Sequence, residues 1–189
     1  GRKKLNYEYF EKGKYNLNII GIRSNTFNQV TNFYDDFLVV IYNDSNNKPA
    51  RKVYNITTEP GMYYIKTHFT NPKGTAILVE GQYKGCYKLG YHNNSYKALV
   101  QCKPVRVYRD NNHDDIYDLD PNTIEKGNFG INIHRSDRNF VRRTIDKYSA
   151  GCQVFNDFRD FDEFIKLCEK QFNIYGNSFT YTLIKETDL

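Results

Sequence analysis

The chain has 189 residues, a net charge of +5 at neutral pH, and an aromatic set of 17 Tyr and 13 Phe with no Trp. That length supports one substantial core, and no run approaches the roughly 18 apolar residues that a membrane-crossing helix needs. The charge is mild and mixed in sign along the chain, which argues against a nucleic-acid-binding face, where basic side chains would cluster with stacking aromatics.

Residues 1–16 are polar and aromatic without a clear period, carry Arg2-Lys3-Lys4, and read as an N-terminal extension suited to docking. No basic stretch followed by an apolar run occurs there, so no secretory leader is expected within this segment. Residues 17–189 read as a single domain. Segments 17–23, 37–42 and 52–57 are strand-like, the last two joined by the turn-rich Asn43-Asp44-Ser45-Asn46-Asn47-Lys48-Pro49 as a hairpin. Segments 75–79, 85–89, 97–102 and 105–108 continue the pattern, with β-branched and aromatic residues on their faces. From 156 to 172 the period changes: Phe158, Phe161, Phe164, Ile165, Cys168 and Phe172 recur at helical spacing, with Asp157 as N-cap and Asp160, Asp162 and Glu163 near the positive end. A closing strand is expected over 179–184. The fold class is mainly β, with one amphipathic helix.

Two features suggest metal and are outweighed. Asp110 to Asp118 places oxygen ligands at alternate positions, as calcium loops do, but lacks glycine at the sixth position and has Pro121 at the twelfth. A hydrated turn between strands explains it equally well. His68, His92 and His113 show no metal-binding spacing and read as surface or loop residues. The four cysteines (86, 102, 152 and 168) are too few for a disulfide scaffold; Cys168 falls on the helix's apolar stripe, and Cys86 and Cys102 lie in strands that can pair as neighbours. A reducing compartment of synthesis is the expected setting.

The chemistry concentrates in Phe129-Gly130-Ile131-Asn132-Ile133-His134-Arg135 and Tyr148-Ser149-Ala150-Gly151-Cys152-Gln153-Val154. A strand ends at His134, and Cys152 follows 18 residues later in a turn of small residues. A cysteine acts as a nucleophile through its thiolate, and a nearby imidazole is a standard way to generate one. Flanking Ala150 and Gly151 leave room for a carbonyl carbon to approach. The pattern reads as acyl transfer through a thioester.

These residues resemble the catalytic signature of L,D-transpeptidases of the YkuD type, in which a strand ending Ile-His-Gly is followed by Ser-His-Gly-Cys. His134 matches the catalytic histidine, Ser149 and Gly151 the residues flanking the second histidine, and Cys152 the nucleophile. The wording from Lys73 to Val79 and from Gly81 to Gly85 is also similar to endolysin-type proteins of tailed bacteriophages. Together the resemblances span residues 17–170. Ala150 stands where the family has its second histidine, Arg135 where it has glycine, and the arginine after the cysteine is replaced by Gln153-Val154.

The resemblance implies a YkuD-like β-sandwich or barrel and cysteine-dependent transfer or hydrolysis on peptidoglycan stem peptides. The setting would be a phage particle or infected bacterial cell acting at the wall, perhaps beside other phage proteins in structure only as an alternative: a non-catalytic, wall-binding particle component with the same fold. In the catalytic reading Cys152 is the nucleophile and His134 the base. The N–H groups of Gly151 and Cys152 form the oxyanion hole, and Ser149 bonds His134 or the turn. Arg135, in the insert with Arg138, Arg142 and Arg143, steadies a substrate carboxylate. Tyr83 and Tyr117 are candidates to line the cleft, although each also suits a packed position. No metal or organic cofactor is called for.

Overall fold

The alternation of inward and outward residues is clearest in β2 (Asp36–Asn43), where Leu38, Val40 and Tyr42 are buried and the residues between them are more exposed. In this computed structural model, which describes residues 5–189, β2 pairs antiparallel with β3 (Pro49–Thr57). The turn between them is closed by the Asp44 carboxylate, which accepts from the backbone of Asn46 and Lys48. Strand β1 (Asn18–Arg23) lies beside β2 and pairs in parallel with β11 (Phe179–Lys185), the strand that closes the domain. With β5 (Gly81–His92), β6 (Tyr96–Gln101), β9 (Ile133–Arg135) and β10 (Gln153–Phe155) they form a closed eight-stranded barrel in the order β1-β11-β5-β6-β9-β10-β3-β2. Closure leaves no free sheet edge.

A second, antiparallel sheet of β4 (Thr75–Leu78), β7 (Val105–Asp110) and β8 (Glu125–Gly127) stands against the barrel, with the short helix α1 (Met62–Lys66) near it. Its Ile77 and Tyr108 pack with Val30, Ile65, Val79 and Tyr117 into a small separate core. The main core holds Leu38, Ile56, Tyr87, Leu99, Ile133 and Phe155, and α2 (Phe158–Tyr175) adds Phe161, Phe164 and Cys168 to it. Asp157 caps α2 by accepting from the Arg159 backbone at 2.9 Å, and Gly176, at φ +96°, ends it in a conformation that favours glycine.

The predicted mainly β domain with one long helix is what forms, and Cys168 is buried on that helix. Strands β8 and β10 and helix α1 were not expected, because three to five residues are too few to show a period. The N-terminal extension docks on the barrel itself: Gln82 exchanges two hydrogen bonds with the Glu8 backbone (2.8 and 2.9 Å), and Asn18 does the same for Phe10 (2.7 and 2.9 Å). The Arg2-Lys3-Lys4 cluster lies outside the described residues. In the 110–118 loop the side chains cap their own backbone, Asp110 accepting from Asp118 at 2.8 Å and Asp114 from Ile116 at 3.0 Å. Cys86 and Cys102 are neighbours, joined through Cys102 N–H to the Cys86 carbonyl at 2.7 Å, and both are free thiols.

Candidate active site

Strands β9 and β10 run in parallel with His134 opposite Val154, so Cys152, just before β10, is diagonal to His134 across the pair. A strand spacing of about 4.8 Å and a two-residue rise of about 6.6 Å would set their Cβ atoms about 8 Å apart, near enough for the side-chain ends to meet. His134 is buried, and its Nδ1 lies 2.8 Å from the Arg135 carbonyl oxygen. A carbonyl only accepts, so Nδ1 carries the proton and Nε2 keeps its lone pair. The backbone carbonyl after the histidine does not depend on side-chain identity, and Arg135 supplies it as glycine would. Burial, followed by the neighbouring His92, lowers the His134 pKa to about 3, so the ring is neutral at neutral pH.

Cys152 is half-buried. Its thiol donates to the Gly130 carbonyl (3.3 Å), and its sulfur accepts from the Asn132 N–H (3.4 Å). Burial pushes the thiol up to about 11, opposed by the Asn132 contact. The resting pair is therefore thiol and neutral imidazole; a preformed thiolate–imidazolium ion pair is not the ground state. The loop before Cys152 is tightly built. Gly151 has φ +132°, and a Cβ there would come within 2.6 Å of the Ala76 carbonyl oxygen, so glycine is required on both counts. Ser149 is buried and belongs to the turn, accepting from Gly151 N–H (3.2 Å) and donating to the Cys152 carbonyl (2.8 Å). Ser149 thus fulfils the second of its two expected roles and does not bond His134. Its bond to Gly151 also engages one of the two expected oxyanion donors. The Cys152 N–H, with no acceptor among the described residues, is the donor left for that task.

Two residues that the sequence did not single out complete the histidine's surroundings. His92, at the end of β5, stacks on His134 with ring centroids 3.8 Å apart and planes 14° apart. It is not the loop histidine expected from spacing. Asn132 accepts from Gln101 N–H through its side-chain oxygen (3.0 Å), which turns its NH2 toward His92 Nδ1 at 3.1 Å. Tyr96, on β6, places its hydroxyl 3.0 Å from both His134 Nδ1 and the Arg135 carbonyl. Burial raises the Tyr96 phenol, the Arg135 carbonyl and charge oppose this, and Cys152 adds to the rise, an electrostatic link from the thiol to the group beside the imidazole.

The thiol opens on a cavity of about 290 Å³ lined by Thr70, Asn71, Ala76, Arg109, Phe129 and Ala150, among others. Arg135 is not in it: its guanidinium lies over the Tyr96 ring at 3.9 Å and faces the groove beside α2. Tyr83 and Tyr117 are core residues, their hydroxyls bonded to the carbonyls of Val79 (2.5 Å) and Pro60 (2.7 Å). Neither lines the cleft, because each sits on an inward-facing position with its polar end satisfied. His68 and His113 stack on Tyr63 and Phe69, away from the thiol's cavity.

Beneath the cysteine loop lies a buried polar network. Arg23 bonds Glu80 (2.9 Å) and Thr58, Asp36 accepts from Thr58 and Ser24, and Gln153 reaches the Thr58 carbonyl at 3.4 Å. Gly61 N–H donates to the Ser149 carbonyl at 2.9 Å, tying the segment after β3 to the turn. No known protein family, no curated protein and no solved structure matches this chain.

Proposed function

We propose that this chain is a cysteine-dependent acyl-transfer enzyme of the L,D-transpeptidase type, with a YkuD-like barrel, acting on peptidoglycan stem peptides. The observation that carries the reading is the fixed tautomer of His134, its Nδ1–H held by the Arg135 carbonyl and its Nε2 free, one strand from Cys152. Nε2 takes the thiol proton as sulfur attacks the amide carbonyl carbon. The Cys152 N–H holds the oxyanion. The C–N bond then breaks, the amine leaves with the proton returned by His134, and the acyl group remains on sulfur as a thioester. Water attacks that carbonyl and gives His134 a proton, sulfur leaves, and the imidazole reprotonates it. An amine in place of water would give transpeptidation. The sequence resemblance to phage endolysin-type proteins favours water, in a particle or an infected cell that benefits from opening the wall.

The test is intact mass after exposure to a carbapenem, a class that acylates the nucleophile of the family this chain resembles. A wild-type adduct absent from Cys152→Ala supports the thioester chemistry. A protein that neither forms the adduct nor alkylates at Cys152 speaks for the second reading, a wall-binding particle component with the same fold. That reading is favoured by one observation, the resting thiol donated to Gly130 and pushed up to about 11.

A further inference from the structure

Arg109 is the one charged side chain facing the same cavity as Cys152 among its lining residues, and it is poorly satisfied. Strand β7 carries it opposite Ala76 of β4, whose carbonyl abuts Gly151, so two strands of the second sheet fix the guanidinium relative to the nucleophile loop. The side chain is 6% exposed. NH1 donates to the Gly74 carbonyl (3.2 Å), NH2 lies 3.7 Å from Glu125, and the guanidinium rests over the Phe129 ring at 4.9 Å. The Nε–H has no partner among the described residues. Glu125 is shared with Lys73 at 3.1 Å, so it neutralises Arg109 only in part. A buried guanidinium with idle donors carries a desolvation cost that an incoming anion would offset.

The geometry points to Arg109 as the binding residue for the free C-terminal carboxylate of the acyl donor. This rests on the thioester reading of the same site and adds the substrate class: a peptide whose last residue is the leaving group. A planar guanidinium with parallel N–H donors matches a carboxylate. The cavity, at about 290 Å³, is at the small end of ligand pockets and suits a chain end better than a peptide running through. The carboxylate stays on the departing amino acid throughout; only the scissile C–N bond and the protons described above change.

The experiment is calorimetric binding of a stem tetrapeptide, as free acid and as C-terminal carboxamide, to Cys152→Ala protein, which binds without turnover. The acid is expected to bind at least about tenfold more tightly than the amide, as one charge-assisted pair contributes. Adding Arg109→Gln should erase that preference, and Arg109→Lys should retain part of it. Equal binding of acid and amide, no binding of either, or full preference surviving in Arg109→Gln overturns the assignment. An amide that still loses affinity with Arg109→Gln would place the residue on another anion and overturn it equally. Acid preference intact in a protein that forms no thioester would overturn the chemistry and leave the carboxylate site standing.

Discussion

His92 and His134 lie face to face, 3.8 Å between ring centroids, with His134 bonded through Nδ1 to the chain's own Arg135 carbonyl. Stacking shuts one face of His134 off from water, and two imidazoles this close cannot both carry charge cheaply. Removing His92 should therefore restore hydration and relieve the neighbouring charge. We expect His92→Ala to raise the His134 pKa from about 3 toward its ordinary value, read by NMR titration of the ring. Activity should fall by roughly tenfold or more as the base is misplaced and protonated at mildly acidic pH. A His134 titration unmoved by the substitution would contradict this account.

The resting thiol gives a second prediction. With burial holding Cys152 up at about 11, its alkylation by a small reagent should rise about tenfold per pH unit from pH 7 to 10 without a plateau. A plateau near pH 6 or 7 would reveal an ion pair with His134 and refute the neutral resting state.

Gly151 is held both by its positive φ and by the Ala76 carbonyl 2.6 Å from a prospective Cβ. Gly151→Ala should cost about 1–3 kcal/mol in backbone strain, and more if Ala76 cannot move. For a domain of this length each kcal/mol lowers the melting temperature by roughly 2–4 °C. Thermal unfolding that matches wild type would show that the loop is more pliant than its contacts indicate.

The polar network under the loop sets a pH dependence. Burial, opposed by Arg23, raises Glu59 from its ordinary range to about 8. A carboxyl whose folded pKa is raised binds its proton more tightly in the native state. Its contribution is present in full below the unfolded value and is lost as pH climbs through about 8. Glu59→Gln should therefore match wild type near pH 4 and exceed it in stability at pH 9, as thermal melts would report. A variant less stable than wild type at pH 9 would mean that attraction to Arg23 outweighs burial.

How much of this could be read beforehand follows from where each signal sits. The long strands and α2 announce themselves because alternating or helical periods run for six residues or more, and His134 and Cys152 because they fall in one local stretch. His92 and Arg109 gave no such sign. Each lies within an ordinary strand, and only the barrel's closure beside β9 and the pairing of β7 with β4 bring them to the site. Arg135 was expected at the substrate because it adjoins the histidine, but alternation along β9 turns it to the opposite face, against Tyr96. Tyr83 and Tyr117 illustrate the ambiguity of tyrosine, which suits a cleft wall or a core position whose hydroxyl finds a carbonyl.

The most direct test of the central claim is the release of soluble peptide or amino-acid products from purified peptidoglycan by wild type, Cys152→Ala and His134→Gln, with folding of each verified by circular dichroism. The account predicts release by wild type, none by Cys152→Ala, and a loss of roughly a hundredfold or more for His134→Gln. Equal release by wild type and Cys152→Ala, or none from any of the three, would contradict it.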